Sequence, residues 1–333
     1  MNTIIKRTML VIMTILATAT LVACGNGDGN EEIVLAEGDW ESIEVHNQIA
    51  KLILEEGYGE KVDITSADTP VITQSMISGD MDVNLEMWSG NIPTYEEDLE
   101  DGHYEEVSVN FDDNYQGLYI PKYLQEENPG LTSIQDLPDY KELFPDNEVN
   151  NWDPEEDKGV IHGGPSGWAA TAFLEHKFEN EDDYPELVDA FDFRPLESTA
   201  TLNSTLVTAY EEEEPWVGYN WEPTWILGQY EMVLLEDEIP FESADDEEGK
   251  GNLPPQDVTV IITSGFKDQF PDVTEFLSHY ETSSAITSDA LAYMRDNEVE
   301  PVDAAKYFLE EYEDLWTEWV PEDVADNVKA AIE

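Results

Sequence analysis

Three tryptophans stand next to turn-forming residues rather than inside apolar runs. Trp88 ends a strand pattern before Ser-Gly-Asn, and Trp221 ends another before Glu-Pro-Thr. Trp168 follows Gly-Gly-Pro-Ser-Gly and precedes a helix pattern. Ring faces attract a cation that cannot donate hydrogen bonds, such as a quaternary ammonium group, by roughly 0.5–2 kcal/mol each. We therefore expect the three rings to converge in an aromatic cage; the alternative is that each ring covers the core of its own domain.

A cage of three rings requires a second contribution to binding. Three rings supply only a few kcal/mol, whereas micromolar affinity requires about 8 kcal/mol. The glycine-rich turn leads into a helix pattern whose first backbone amides, around Ala169 and Ala170, favour a carboxylate together with the helix dipole. A zwitterion with an ammonium group at one end and a carboxylate at the other would satisfy both sites.

Catalytic and metal-binding patterns are missing from the sequence. The five histidines show no metal-ligand spacing, and there is neither a nucleophile elbow nor a phosphate-binding loop motif. We expect no enzymatic activity, no metal and no cofactor. Two carboxylates beside tryptophan platforms would suffice for a glycosidase. A secreted carbohydrate-active enzyme or sugar-binding protein is therefore the alternative function, although no single residue stands out among the 77 Asp and Glu.

Composition narrows the class of protein further. The chain has 333 residues, which suggests about two domains. Its 14 Lys and Arg against 77 Asp and Glu give a net charge of −63, which would repel the phosphates of a nucleic acid. Hydrophobic residues make up 41% of the chain, enough to bury a core. The single cysteine excludes structural disulfides and thiolate zinc sites.

The first residues predict export. Two basic residues precede an apolar run from Met9 to Val22, which is shorter than the roughly 18–20 residues of a membrane-spanning helix. The run ends in Leu-Val-Ala-Cys24, which resembles the bacterial lipobox, where the chain is cut before a cysteine that is then lipid-modified. We predict a lipoprotein signal peptide over residues 1–23, lipidation of Cys24, a flexible tether over 24–37, and an extracytoplasmic protein anchored to the cell membrane.

Helix and strand patterns alternate from Trp40 onwards. Thr69-Pro70 opens a helix pattern that ends at Gly79. Apolar and polar residues then alternate from Met81 to Trp88, which predicts a strand with one core face and with Trp88 at its end on the other face. This rhythm is typical of a mainly parallel sheet, whose ligands bind beyond the carboxyl ends of the strands.

The tryptophan motifs resemble those of a known family. Together with Gly38-Asp-Trp40 and Asn114-Tyr-Gln-Gly-Leu-Tyr-Ile-Pro121, they are similar to the substrate-binding lipoproteins of glycine betaine ABC importers, of the ProX and OpuAC type. The resemblance covers most of the mature chain. It implies an α/β, type II periplasmic-binding-protein-like fold with two lobes, two chain crossings and a ligand cleft. The implied first lobe comprises residues 38–117 and 258–333, and the second comprises 118–257.

The resemblance also implies roles for individual residues. Trp88, Trp168 and Trp221 match the cage, and the amides of Ala169 and Ala170 match the site for the ligand's carboxylate.

Three further positions are less clear from the resemblance. Some members place a histidine four residues after the first cage tryptophan, where this chain has Ile92, so Asn91 or another group must take its place. Trp40 either contacts the ligand from the opposite lip or packs, and Trp225 is expected to pack.

The function implied by the resemblance is capture and delivery of a solute. A non-catalytic receptor outside the membrane would bind glycine betaine or a related quaternary ammonium osmoprotectant and deliver it to an ABC permease and its ATPase subunit. Proline betaine, carnitine, choline and dimethylsulfoniopropionate remain open as ligands.

The acidity generates a prediction about salt. A surface with a net charge of −63 repels itself, and salt screens that repulsion. We expect the purified domain to be more stable in molar salt than in dilute buffer, as measured by thermal unfolding at both ionic strengths. Equal stability at both would exclude adaptation to a saline habitat.

Overall fold

The computed structural model describes residues 32–243 and 248–332. The predicted signal peptide 1–23 and Cys24 lie outside the described residues, as does most of the predicted tether. The tether prediction is wrong over residues 32–37, which form the first strand, because Ile33 and Leu35 are fully buried in the core. The described helices are all too short or too polar to cross a membrane.

The described strands form two five-stranded sheets. The first sheet has the strand order β2-β1-β3-β10-β4, and the second has the order β7-β6-β8-β5-β9. The strands are β1 (Glu32–Glu37), β2 (Lys61–Ser66), β3 (Val83–Trp88), β4 (Tyr104–Phe111), β5 (Gln116–Pro121), β6 (Gly159–Pro165), β7 (Phe191–Leu196), β8 (Gly218–Trp221), β9 (Met232–Leu234) and β10 (Val258–Thr263).

Both sheets are mixed, so the expectation of a mainly parallel sheet is wrong. In the first sheet β1 pairs parallel to β3, whereas β10 pairs antiparallel to β3 and β4. In the second sheet β6 is parallel to β7 and β8, whereas β5 is antiparallel to β8 and β9. The antiparallel strands β5 and β10 are the first strands that the chain forms after changing sheets, so no βαβ crossover fixes their direction.

Helices cover the sheets and begin and end at residues that favour helix termini. The helix Thr69–Ser78 has a proline in its first turn and ends at Gly79, whose φ of 76° lies in the left-handed region that glycine tolerates. That helix confirms the prediction. The helices are α1 (Glu41–Leu52), α2 (Thr69–Ser78), α3 (Tyr95–Glu100), α4 (Lys122–Glu127), α5 (Ala169–Glu179), α6 (Pro185–Ala190), α7 (Thr199–Glu211), α8 (Trp225–Gln229), α9 (Phe266–Gln269), α10 (Pro271–Leu277), α11 (Ser284–Asp296), α12 (Pro301–Glu311), α13 (Glu313–Trp316) and α14 (Glu322–Ile332), with a π-helical turn at Ile53–Tyr58 and 3₁₀ segments at Ser89–Asn91 and Ile134–Leu143.

The chain changes sheets twice. It leaves the first sheet after β4, enters the second at β5, and returns at β10. We call the first sheet with its helices the first lobe and the second sheet with its helices the second lobe. The predicted boundary after residue 117 falls inside β5, which begins at Gln116, and the boundary after residue 257 coincides with the start of β10.

A buried charge network holds the second lobe together. The Lys177 ammonium is fully buried and forms an ion pair with Asp237. It also donates to Tyr184 Oη at 3.2 Å and to the Gly251 carbonyl at 2.7 Å. Removing one partner of a buried ion pair is strongly destabilising, because the other charge stays buried without compensation.

We expect Lys177→Met to lower the free energy of unfolding by about 3–5 kcal/mol, because the Asp237 carboxylate would lose its cation. Urea unfolding measures the loss. The matched control is Lys306→Met, because Lys306 pairs with Asp303 on the surface with both side chains more than 40% exposed; that variant should lose about 0–1 kcal/mol. Equal losses in the two variants would contradict a structural role for the buried network.

Candidate functional site

One cavity is lined by the residues that the sequence predicts to bind a ligand. Its empty volume, including the open mouth, is about 550 Å³. Residues of both lobes line it, from the start of α1 and the end of β3 on one side and from the start of α5 and the end of β8 on the other. All seven predicted ligand-binding residues lie in its lining, namely Trp40, Trp88, Asn91, Trp168, Ala169, Ala170 and Trp221.

Trp168 is the centre of the aromatic cluster. Its ring centroid lies 4.9 Å from that of Trp221 and 5.7 Å from that of Trp40, with interplanar angles of 85° and 88°. Tyr219 extends the wall by stacking on Trp221 at 5.8 Å. Trp88 lines the same cavity and packs edge-on against Phe111 at 5.9 Å. Of the three predicted cage tryptophans, Trp168 and Trp221 are in ring contact and Trp40 joins them, whereas Trp88 contacts Phe111 instead.

Each tryptophan of the cluster stands at a boundary residue of a helix or strand. Trp88 and Trp221 are the last residues of β3 and β8. Trp40 and Trp168 are the N-cap residues of α1 and α5, where the backbone is extended. The Trp40 ring folds back over Gly38, where an added Cβ would lie 1.8 Å from a ring carbon, so only glycine fits there.

The residues at the start of α5, Ala169 and Ala170, line the same cavity. The first bond of the helical pattern runs from Ala172 N–H to the Trp168 carbonyl at 3.1 Å. The amides of Ala169 and Ala170 precede it, and no acceptor among the described residues bonds to them. Such amides carry the positive end of the helix dipole, which suits a carboxylate.

Asn91, the expected replacement for a histidine, lines the cavity and bonds to two glutamines. Its Nδ2 donates to Gln116 Oε1 at 3.3 Å, and its Oδ1 accepts from Gln116 Nε2 at 3.1 Å and from Gln256 Nε2 at 2.8 Å. Gln116 begins β5 and Gln256 precedes β10, so the amide ties together both chain crossings. Asn91 therefore braces the point where the lobes join.

Glu86 is the residue that the sequence reasoning missed. Its side chain is 1% exposed and lines the cavity two residues before Trp88. Oε1 accepts from Ser42 Oγ at 2.8 Å and from Trp88 Nε1 at 3.3 Å, whereas Oε2 has no hydrogen-bond partner among the described residues. Burial raises the pKa of Glu86 to about 7, against smaller lowering effects of these donors and of Trp40.

Trp40 Nε1 also lies close to the Glu86 carboxyl group. It lies near enough to lower the pKa of Glu86, but its geometry makes no hydrogen bond to any described acceptor. The alternation from Met81 to Trp88 was the available signal, because it places Glu86 on the same strand face as Trp88. Among the described residues, no group of His, Cys, Asp and Glu could hold a metal ion.

Trp225 lies outside the cavity, in a set of contacts between the lobes. Its Nε1 donates to Glu41 Oε1 at 3.3 Å, and the Arg295 guanidinium carbon lies 4.5 Å from its ring centroid. Asn203 Nδ2 also donates to Glu41 Oε1, at 3.3 Å. We call these contacts, with the bonds of Thr199 to the Asp39 carbonyl and carboxylate, the interlobe clasp.

Comparison with known families and structures identifies relatives along nearly the whole described chain. The family model described as the substrate-binding domain of an ABC-type glycine betaine transport system matches residues 31–311.

Solved structures with the same fold are distant in sequence. A choline-binding protein of an ABC transporter, in complex with choline, superimposes with a TM-score of 0.71 at 18% identity, covering 91% of this chain and 98% of the other. ProX, the glycine/betaine/L-proline-binding protein from Borrelia burgdorferi, gives 0.70 at 17% identity, with 90% and 100% covered. Lactococcal OpuAC, closed and complexed with glycine betaine, gives 0.68 at 18% identity, with 87% and 100% covered. These likenesses confirm a type II periplasmic-binding-protein-like fold of two α/β lobes.

Proposed function

The chain belongs to the OpuAC family of substrate-binding domains of ABC-type glycine betaine transport systems, and from that premise we propose that it captures glycine betaine or a related quaternary ammonium compound in the tryptophan-lined cavity. Domains of this family bind solutes and catalyse no reaction, so the alternative of a carbohydrate-active enzyme is set aside.

The observation that carries the proposal is the convergence of four tryptophans from both lobes in one cavity. Trp40 and Trp88 belong to the first lobe, and Trp168 and Trp221 to the second. A quaternary ammonium group spreads its charge over methyl groups and cannot donate hydrogen bonds, so ring faces stabilise it while water is excluded. A sugar, by contrast, needs hydrogen-bond partners for each hydroxyl, and the cavity lining is mainly apolar.

The start of α5 supports a zwitterionic ligand. The amides of Ala169 and Ala170 line the same cavity as the rings. A ligand with its ammonium group among the tryptophans would direct a carboxylate towards these donors. Glycine betaine, proline betaine and carnitine meet both requirements, whereas choline meets only the first.

Delivery follows from the family's place in transport. We propose that closure of the lobes over the ligand creates the surface that an ABC permease, with its ATPase subunit, recognises, so that binding and docking are coupled through one population shift. We further propose that the protein acts outside the cytoplasm, held to the membrane by a lipid on Cys24.

We expect Trp221→Ala and Trp88→Ala each to weaken glycine betaine binding at least tenfold, because each removes a ring face that stabilises the cation by roughly 0.5–2 kcal/mol and admits water to the cage. Isothermal titration calorimetry measures the change. Trp152→Ala is the matched control, because Trp152 lies outside the cavity and donates to the Lys158 carbonyl at 2.7 Å. Unchanged affinity in both cage variants would remove the cage from the proposal.

A thermal-shift series identifies the ligand class. Glycine betaine, proline betaine, carnitine and choline should raise the melting temperature in proportion to the logarithm of their concentration above the dissociation constant. Glucose and maltose should leave it unchanged. A shift with sugars and none with any quaternary ammonium compound would overturn the proposed function.

A further inference from the structure

Glu86 is the only charged side chain among the described residues that line the cavity. Building on the proposed function, we infer that Glu86 sets the charge preference of the site: its ionised carboxylate favours a quaternary ammonium cation of the choline type over a betaine zwitterion.

The geometry fixes the Glu86 carboxylate beside the cage. Glu86 and Trp88 lie on the same face of β3, and the Trp88 indole N–H donates to Glu86 Oε1 at 3.3 Å. Ser42 Oγ donates to the same oxygen at 2.8 Å. These two bonds orient the carboxyl and leave Oε2, which is buried, without a partner. A methylated ammonium group suits that oxygen, because it offers positive charge and needs no hydrogen-bond acceptor.

The net charge of the occupied cavity determines which ligand the Glu86 carboxylate stabilises more. With Glu86 ionised, a bound choline-type cation makes the cavity neutral, whereas a bound zwitterion leaves one net negative charge. The zwitterion's carboxylate must share a poorly solvated space with the Glu86 carboxylate, and the start of α5 offsets only about half a charge. When Glu86 is protonated, the cavity is neutral with a zwitterion bound and carries one positive charge with choline bound, so the charge balance then favours the zwitterion.

The groups around Glu86 leave it as the one that titrates near neutral pH. From α1, Ser42 does not titrate, and His46 is fully buried and has its pKa lowered to about 3 by desolvation. Tyr280 packs on His46, and burial raises its pKa well above 10. Burial also raises the pKa of Tyr219, the other titratable residue of the lining. Asn84, on the same face of β3, accepts from the Glu86 amide N–H and carries no charge.

The wild-type protein tests the inference without any substitution. Choline and glycine betaine keep constant charges between about pH 5.5 and about pH 8.5, so a changing affinity ratio reports a group of the protein. Deprotonation of Glu86 should strengthen choline binding by about tenfold or more over that range and change glycine betaine binding, in either direction, by less than about threefold. Calorimetry at each pH measures both constants. A ratio that stays constant over the range overturns the inference.

Substitution then assigns the effect to its residue. Glu86→Gln keeps the shape of the side chain, and we expect it to weaken choline binding about tenfold at about pH 8, to change glycine betaine binding less, and to abolish the pH dependence of the ratio. Glu44→Gln is the matched control. The pKa of Glu44 is also raised to about 7, by burial and by Glu37 and Glu41, but Glu44 lies outside the lining, so its variant should behave like the wild type.

The remaining outcomes distinguish failure of the inference about Glu86 from failure of the proposed function. Equal weakening of both ligands by Glu86→Gln would make Glu86 a packing residue, and an unchanged ratio would remove it from the site; either result overturns the inference and leaves the proposed function standing. Failure of the wild-type protein to bind either ligand at any pH would overturn the proposed function itself, and the inference with it.

Discussion

The proposed ligand carries a cationic group that forms no hydrogen bonds, and this one property constrains the walls of its cavity. A methylated ammonium ion offers no hydrogen-bond donors, so ring faces stabilise it better than polar groups do. In this chain Trp40 and Trp88 lie in the first lobe and Trp168 and Trp221 in the second, so both lobes contribute rings to the cavity. The two chain crossings are what allow a single polypeptide to present both walls.

Local features of the fold were readable from the sequence. Pro70 and Gly79 delimit a helix because each acts on its own backbone, and the tryptophans could be located because each sits where a strand ends or a helix begins. Strand direction was not readable in the same way. β5 and β10 run antiparallel to their neighbours because of where the chain re-enters each sheet, and no residue within those strands encodes that.

The residues of the cavity show the same contrast between features set by local sequence and features set by distant contacts. Alternation along β3 placed Trp88 on the strand face opposite Val83, Leu85 and Met87, but it gave no sign that Glu86 on the same face as Trp88 is buried. Glu86 is buried because Ser42 and Trp40 of the α1 region lie over it, a contact between positions 44 residues apart in the chain. The bond of Asn91 to Gln256 could not be foreseen for a similar reason, since the two residues are 165 positions apart. Contacts of this separation cannot be inferred from one sequence.

The interlobe clasp would affect the overall affinity for a solute without affecting the selectivity between solutes, if the protein binds solutes as proposed. Asp39 and Glu41 bond to residues of α7 and α8 without lining the cavity, so they help to hold the lobes together whatever lies between them. Given the proposed closure of the lobes, a change in these contacts would shift the open–closed equilibrium by one factor for every solute. Evolution can therefore adjust residence time at the clasp, to suit a scarce or an abundant nutrient, while the discrimination between solutes stays as it was.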